Sequence, residues 1–283
     1  YTLPASNIKQ ATEKMWNNPK PFSLFLIVSF LIASLCSCNA DDTGGKDVTP
    51  PDTTNVVPTA KTVLIYMAAQ NSLGARRNQQ ADSLEIMQAY KDIPGDARIL
   101  LFIDDKYAPR IYRIDKTTPR PVMVKRWQND EDSASPAFLG ELLSFIKRFY
   151  PSDEYGMVLW SHATGWVPPS LALTRNAKQR HAKPLSFGID DGEDFGSDNG
   201  SEMEIRDMAV VMKKADFHAR YIFFDACLMQ NIEVVYELRH AADYIVGAPI
   251  STPGAGANYT NQIRKGLFDD DVRNIASTYL SDV

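Results

Sequence analysis

The chain has 283 residues and a mass of 31.6 kDa, is 44% hydrophobic and 23% charged, and carries a formal net charge of −5. That is enough chain for one large domain with a real core, or for a domain with an appendage. The acidic balance leaves no general footprint for nucleic acid, three cysteines make no disulfide framework, and no apolar run reaches the length of a spanning helix.

The first element is an apolar stretch at 22–35 (FSLFLIVSFLIASL), with Lys20 on its N-terminal side. It is short for a membrane span and fits the apolar region of a secretory signal; a buried core helix or a single-pass anchor is the plainer alternative. The string Leu35-Cys36-Ser37-Cys38 that follows resembles a bacterial lipobox, and Cys38 suits its register better because bulky Leu35 directly precedes Cys36. Residues 1–37 are therefore expected to be an export signal with lipidation at Cys38, so that the exported chain is anchored to a membrane by lipid and does not span it. Met15 stands where a compact signal would begin and is a candidate for the true start, with a start upstream as the alternative. Without residues 1–37, which hold three lysines and one glutamate, the formal charge moves from −5 to −7. Residues 39–60 are rich in Asp, Thr, Gly and Pro, too polar to offset their ordering entropy, and read as a flexible tether. Asp41-Asp42 loosely resembles signals that send lipoproteins to the outer membrane or cell surface of some Gram-negative bacteria.

From residue 61 onward, short apolar runs alternate with helical patterns. Buried strands are predicted at 62–69, 97–104, 156–162, 221–227 and 244–248, and a hairpin at 110–114 and 121–127. Helices are predicted at 75–90, at 137–150 with Pro151 ending it, from a capping-box Ser201 to about Lys214, and at 228–240. This alternation argues for an α/β fold with a mainly parallel sheet covered on both faces, whose ligand sites lie beyond the carboxyl ends of the strands. No glycine-rich phosphate loop is present.

Cys227 is the one cysteine left once Cys36 and Cys38 are assigned to the signal. It follows the strand YIFF in Asp225-Ala226-Cys227, ahead of a predicted helix whose N-terminus would favour thiolate; a small buried hydrophobe is the ordinary reading of a lone cysteine. Of four histidines, His181, His218 and His240 sit in polar or helix-terminal settings. His162 instead ends the strand GMVLW, on what should be the same rim of the sheet as Cys227. A cysteine nucleophile needs an imidazole within reach, and distance along the chain is no obstacle.

WSHATGW and FFDACLMQNIEVVYEL, with LIYMAAQNSL upstream, resemble the clostripain family of cysteine peptidases, in the caspase and gingipain clan. The resemblance spans roughly residues 61–259. It implies a caspase-like α/β/α sandwich with a mainly parallel central sheet over 61–283, peptide or protein substrates, His162 as catalytic imidazole and Cys227 as nucleophile. It implies backbone N–H groups of Ala163 and Cys227 at the oxyanion, and Asp225 in a specificity pocket for a basic side chain, with helix capping as the alternative role for Asp225. No third catalytic member is implied. Two departures stand out: Ala163 occupies a position that is normally glycine, and residues 247–256 carry none of the acidic residues common there in the family.

Residues 163–200 read as a long insert. Arg175, Lys178, Arg180 and Lys183 form a basic loop, which the resemblance marks as a processing site and which is otherwise an ordinary charged loop. The stretch Asp190-Asp191-Gly192-Glu193-Asp194 offers the oxygens that Ca²⁺ takes, without an EF-hand spacing, and a solvated acidic loop is the alternative. Relatives usually continue past the last residue here, so a C-terminal truncation is expected. The leading expectation is a lipid-anchored cysteine endopeptidase working through a Cys227 thioester. Its rivals are a catalytically silent surface-binding lipoprotein on the same fold and a thiol hydrolase or acyltransferase for small molecules.

Overall fold

The computed structural model describes residues 57–165, 186–192 and 195–282. Cys36 and Cys38 of the expected signal, most of the tether, and Arg175, Lys178, Arg180, His181 and Lys183 lie outside the described residues.

Ten strands are described: β1 (Thr59–Ala68), β2 (Ala97–Asp104), β3 (Arg110–Asp115), β4 (Val122–Arg126), β5 (Ser152–Trp160), β6 (Ala163–Gly165), β7 (Ser186–Asp190), β8 (Ser201–Glu204), β9 (Ala219–Asp225) and β10 (Ala242–Val246). The helices among the described residues are α1 (Ser72–Ala75), α2 (Asn78–Gln88), α3 (Pro136–Phe149), α4 (Ile205–Lys214), α5 (Ile232–Leu238), α6 (Tyr259–Lys265) and α7 (Arg273–Asp282). The main sheet runs β10-β9-β5-β1-β2-β3-β4, and β6-β7-β8 form a small antiparallel sheet. Pairing is parallel from β10 to β2 and antiparallel from β2 to β4.

The apolar runs become central strands because both of their faces are covered, as parallel strands require. Along β1, Leu64, Tyr66 and Ala68 enter one core with Leu100, Phe102 and Leu159, closed by Leu142 of α3, Met208 of α4 and Val234 of α5. The alternate residues Val63, Ile65 and Met67 enter the other core with Leu101, Val158 and Phe223, closed by Ile86 of α2, Ile263 of α6 and Ile275 of α7. The result is a caspase-like α/β/α sandwich. Helix α3 shows the local logic. Ser135 caps it through Ala137 N at 3.2 Å, Pro136 opens its first turn, and Lys147 and Arg148 sit at its negative end. Among the described residues no helix is long and apolar enough to cross a membrane.

The chain departs from the predicted elements in five places. Strand β1 begins at Thr59, inside the expected tether. The single helix expected at 75–90 divides into α1 and α2 because Arg77 takes a left-handed φ of 65°, and it ends in a 3₁₀ turn at Ala89–Asp92. Ser201 is no helix cap: Ser201–Glu204 pair as β8, and α4 starts at Ile205. The insert at 163–200 contributes β6 and β7, with Phe187 and Ile189 buried at the period-2 spacing of a strand. The helix expected from 228 starts at Ile232, capped by Asn231.

One buried side chain ties the carboxyl edge together. Asn71 Nδ2 lies 2.8 Å from Ala68 O, 3.2 Å from Ser161 Oγ and 3.0 Å from Ile189 O, three acceptors that share its two N–H donors, while its Oδ1 accepts from Leu73 N and Gly74 N at 3.0 and 3.4 Å. It thus joins the ends of β1, β5 and β7 and caps α1. Asn71→Ala strands several of these buried groups, and a loss of about 2–4 kcal/mol is expected from urea unfolding.

Candidate active site

The register of the sheet brings the two sequence candidates to one place. Trp160 of β5 pairs with Asp225 of β9 in parallel, and His162 and Cys227 each follow two residues later. Both chains then leave the sheet at its carboxyl edge, half-buried. Gly165, at φ 52°, lies against the residue after the cysteine: a Cβ built there would stand 2.1 Å from Leu228 O. The histidine and cysteine loops therefore pack backbone to backbone.

His162 is fixed from two sides. Its carbonyl accepts Gly188 N of β7 at 2.9 Å. Its ring Nε2 lies 3.0 Å from Ser72 Oγ, the first residue of α1, and 3.5 Å from Asp198 Oδ1. The neighbouring Ser161 Oγ donates to Ala68 O at 2.7 Å. Of the other histidines, His218 is exposed on Asp243 at 2.9 Å and His240 is exposed.

The surroundings of Cys227 differ from those predicted. Helix α5 starts five residues after it and is only a turn or two long, so its dipole does not act at the sulfur. The loop after β10 does: Thr252 N donates to Sγ at 3.3 Å, with Thr252 Oγ1 at 3.6 Å. Leu228 carries a left-handed φ of 64° and donates its N–H to Ile250 O at 3.1 Å, which locks the turn after the cysteine onto that loop. Ala163 takes no left-handed φ and sits in β6, so the usual glycine is not required there.

Asp225 does not cap a helix. Its carboxylate accepts Ala257 N at 3.1 Å and Tyr259 Oη at 3.0 Å, while its Oδ1 is buried without a partner. Burial pushes its carboxyl up. Gly256, at φ 64°, covers it closely; a Cβ there would lie 2.7 Å from Asp225 Oδ2. A second buried carboxylate, Asp82 of α2, shares this region and accepts Trp160 Nε1 at 2.7 Å. Burial first, and then the charge of Asp225, push Asp82 up to about 8. Among the described residues no cation acts on either carboxyl group. Asp82, Thr252, Ser72 and Asp198 carry no local motif and reach the site only through the fold.

The acidic stretch is occupied by its own loop. Asp191 accepts four backbone amides, from Gly196, Asp198, Asn199 and Gly200, at 2.8–3.0 Å. Asp190 accepts Ser133 N at 2.6 Å and faces Asp104, whose carboxyl burial pushes up to about 9. Glu193 and Asp194 lie outside the described residues. Among the described residues no cluster of three or more His, Cys, Asp or Glu side chains is placed to hold a metal ion.

The family model Peptidase_C11, the clostripain family, matches residues 65–282. The chain belongs to the clostripain family. A secreted C11 cysteine protease from Bacteroides thetaiotaomicron, solved with an irreversible peptide inhibitor, is 28% identical at a TM-score of 0.65, over 79% of this chain and 58% of that one. An inactive zymogen C11 protease from Parabacteroides distasonis is 28% identical at 0.63, over 81% and 60%. A further secreted protease from Bacteroides thetaiotaomicron, iotapain, shares the fold at 23% identity and a TM-score of 0.62, over 80% and 62%. The chain thus spans about three-fifths of the length of these clostripain-family structures. No curated protein matches it.

Asp82 sets an expectation for stability against pH. Unfolded, it ionises near the ordinary aspartate value of 3.8, whereas folded it keeps its proton to about 8. The folded state therefore binds the extra proton between these limits and loses stability as pH rises through them. Asp104, raised to about 9, contributes a slope of the same sign. In urea unfolding at several pH values, Asp82→Asn is expected to show a smaller fall in unfolding free energy from about pH 5 to 8 than the parent protein.

Proposed function

We propose that this clostripain-family chain is a cysteine endopeptidase with Cys227 as nucleophile and His162 as its base. The observation that carries the reading is the Trp160–Asp225 register, which delivers both residues to one edge of the sheet with Gly165 packed on Leu228. His162 takes the thiol proton as Cys227 Sγ attacks the scissile carbonyl, and returns it to the leaving amine as the C–N bond breaks. The resulting thioester is hydrolysed by water, which restores the thiol. Backbone N–H groups of Cys227 and Ala163 are the proposed oxyanion donors.

The pocket chemistry supports a preference for Lys or Arg at the residue before the cleaved bond. Two buried carboxyl groups, Asp225 and Asp82, lie together with no cation acting on them among the described residues, and one oxygen of Asp225 is unpartnered. A substrate ammonium or guanidinium would satisfy that oxygen and offset the like-charge repulsion. Asp82 thereby supplies from α2 an acidic group that residues 247–256 lack.

We further propose export of this chain through residues 1–37 with lipidation at Cys38, and activating cleavage in the loop of Arg175, Lys178, Arg180 and Lys183. One similar protease is secreted, which supports export, and another is an inactive zymogen, which supports activation; lipidation and the cleavage loop rest on the sequence alone.

A fluorogenic peptide library varied at that position tests the reading. Cys227→Ala and His162→Ala are each expected to lower turnover by about 10³-fold or more. Asp225→Asn is expected to lose about 10²-fold in kcat/KM on Lys and Arg substrates, with little change on neutral ones. Undiminished turnover by Cys227→Ala would overturn the assignment.

A further inference from the structure

We infer that Asp198 is a third, positioning member of the site, a carboxylate that fixes the tautomer of His162 and stabilises its protonated form. The inference rests on the assignment of His162 as the catalytic imidazole.

Asp198 reaches the histidine by an organised route. Asp191 N donates to Gln70 O at 2.8 Å, which latches the loop to the end of β1. The Asp191 carboxylate then gathers the amides of residues 196–200, including Asp198 N at 2.8 Å. Asp198 sits at φ 55°, a left-handed conformation that few residues other than Gly, Asn and Asp adopt. Its Oδ1 accepts Ser72 N at 2.8 Å and lies 3.5 Å from His162 Nε2, while Ser72 Oγ lies 3.0 Å from the same nitrogen.

A carboxylate only accepts hydrogen bonds when ionised. Facing Nε2, it favours the tautomer with the proton on Nε2, in which Nδ1 is the basic ring nitrogen. Once the thiol proton has moved, the ring is cationic and the carboxylate at 3.5 Å stabilises it. The spacing is longer than a hydrogen bond, so the effect here is chiefly that of charge at short range. Among the described residues, other titratable groups at this rim include Cys227 on the β9 loop, Asp190 and Asp191 turned onto backbone amides, and the buried Asp82 and Asp225.

The test is an NMR titration of the His162 ring in the full chain, with kcat and KM measured in parallel. Asp198→Asn keeps an acceptor for Ser72 N and tolerates the left-handed φ, but removes the charge. It is expected to lower the His162 titration midpoint by about half a unit or more. It is also expected to lower kcat by about tenfold with KM unchanged, because Asp198 touches no substrate. Asp198→Gly, which adopts that φ most readily, should give the same midpoint shift and guards against a folding artefact. An unchanged midpoint in both variants, with the parent fold retained, would overturn the role of Asp198. If instead His162→Ala retained peptide hydrolysis, the assignment of the histidine itself would fail, whatever the titration gave.

Discussion

The architecture of the site depends on Asn71. Three strand ends, those of β1, β5 and β7, meet around its side chain. Asn71 collects one carbonyl from β1, one from β7 and the Ser161 hydroxyl beyond β5, and uses its own oxygen to start α1. A buried amide with all its bonds made is rigid, because losing any one bond leaves a desolvated group behind. That rigidity carries outward by one residue on each side. Ser72 follows Asn71 and meets the His162 ring, and His162 follows Ser161. The position of the imidazole is thus set by the interior of the fold, although the ring itself is partly exposed.

Around this fixed point the chain concentrates negative charge and manages it in two ways. Where a carboxylate orders a loop, backbone amides meet it, as four of them meet Asp191. Where two carboxylates are buried together, a proton stays, as on Asp82 beside Asp225 and on Asp104 beside Asp190. Both pairs lie near the carboxyl ends of central strands, and both destabilise the fold as pH rises. In the Asp104 pair, Gln70 donates to Asp104 Oδ1 and Ser133 N to Asp190 Oδ2. Each pair keeps one buried oxygen without a partner, Asp104 Oδ2 and Asp225 Oδ1; what sets the Asp225 pair apart is its place beside the nucleophile loop.

The central strands and most helices were legible because each has a strong local signal: an apolar run for β1, β2, β5 and β9, and a repeating apolar face for α3. His162 and Cys227 were legible because both stand at the end of such a run. What surrounds them was not. The helix after Cys227 is delayed because Leu228 takes a left-handed turn and gives its amide to Ile250, a choice made by tertiary contact against local helix propensity. Ser201 and Glu204 have capping-box spacing, yet they pair with Ser186 and Asp190, since an edge strand was available to receive them. Asp82, Asp198 and Thr252 lie 145, 29 and 25 residues from Cys227 along the chain, so no spacing rule could assemble them. The Phe187–Ile189 alternation was the one missed signal that local reading could have used.

The two small residues after the histidine show how sharply backbone geometry separates tolerance from constraint. Ala163 stands where glycine is usual, but it lies in a strand conformation open to any residue, so the methyl group costs no backbone strain. Gly165, two residues on, has a left-handed φ and no room for a Cβ beside Leu228 O. A side chain there would have to part the two loops that hold the histidine and the cysteine. Residues 162–165 therefore carry two separable requirements, an imidazole at 162 and a bare α-carbon at 165, and the residue between them with least say is the one that departs from the family pattern. A substitution at 163 is accordingly weak grounds for reading the chain as catalytically silent, whereas a side chain at 165 would be strong grounds.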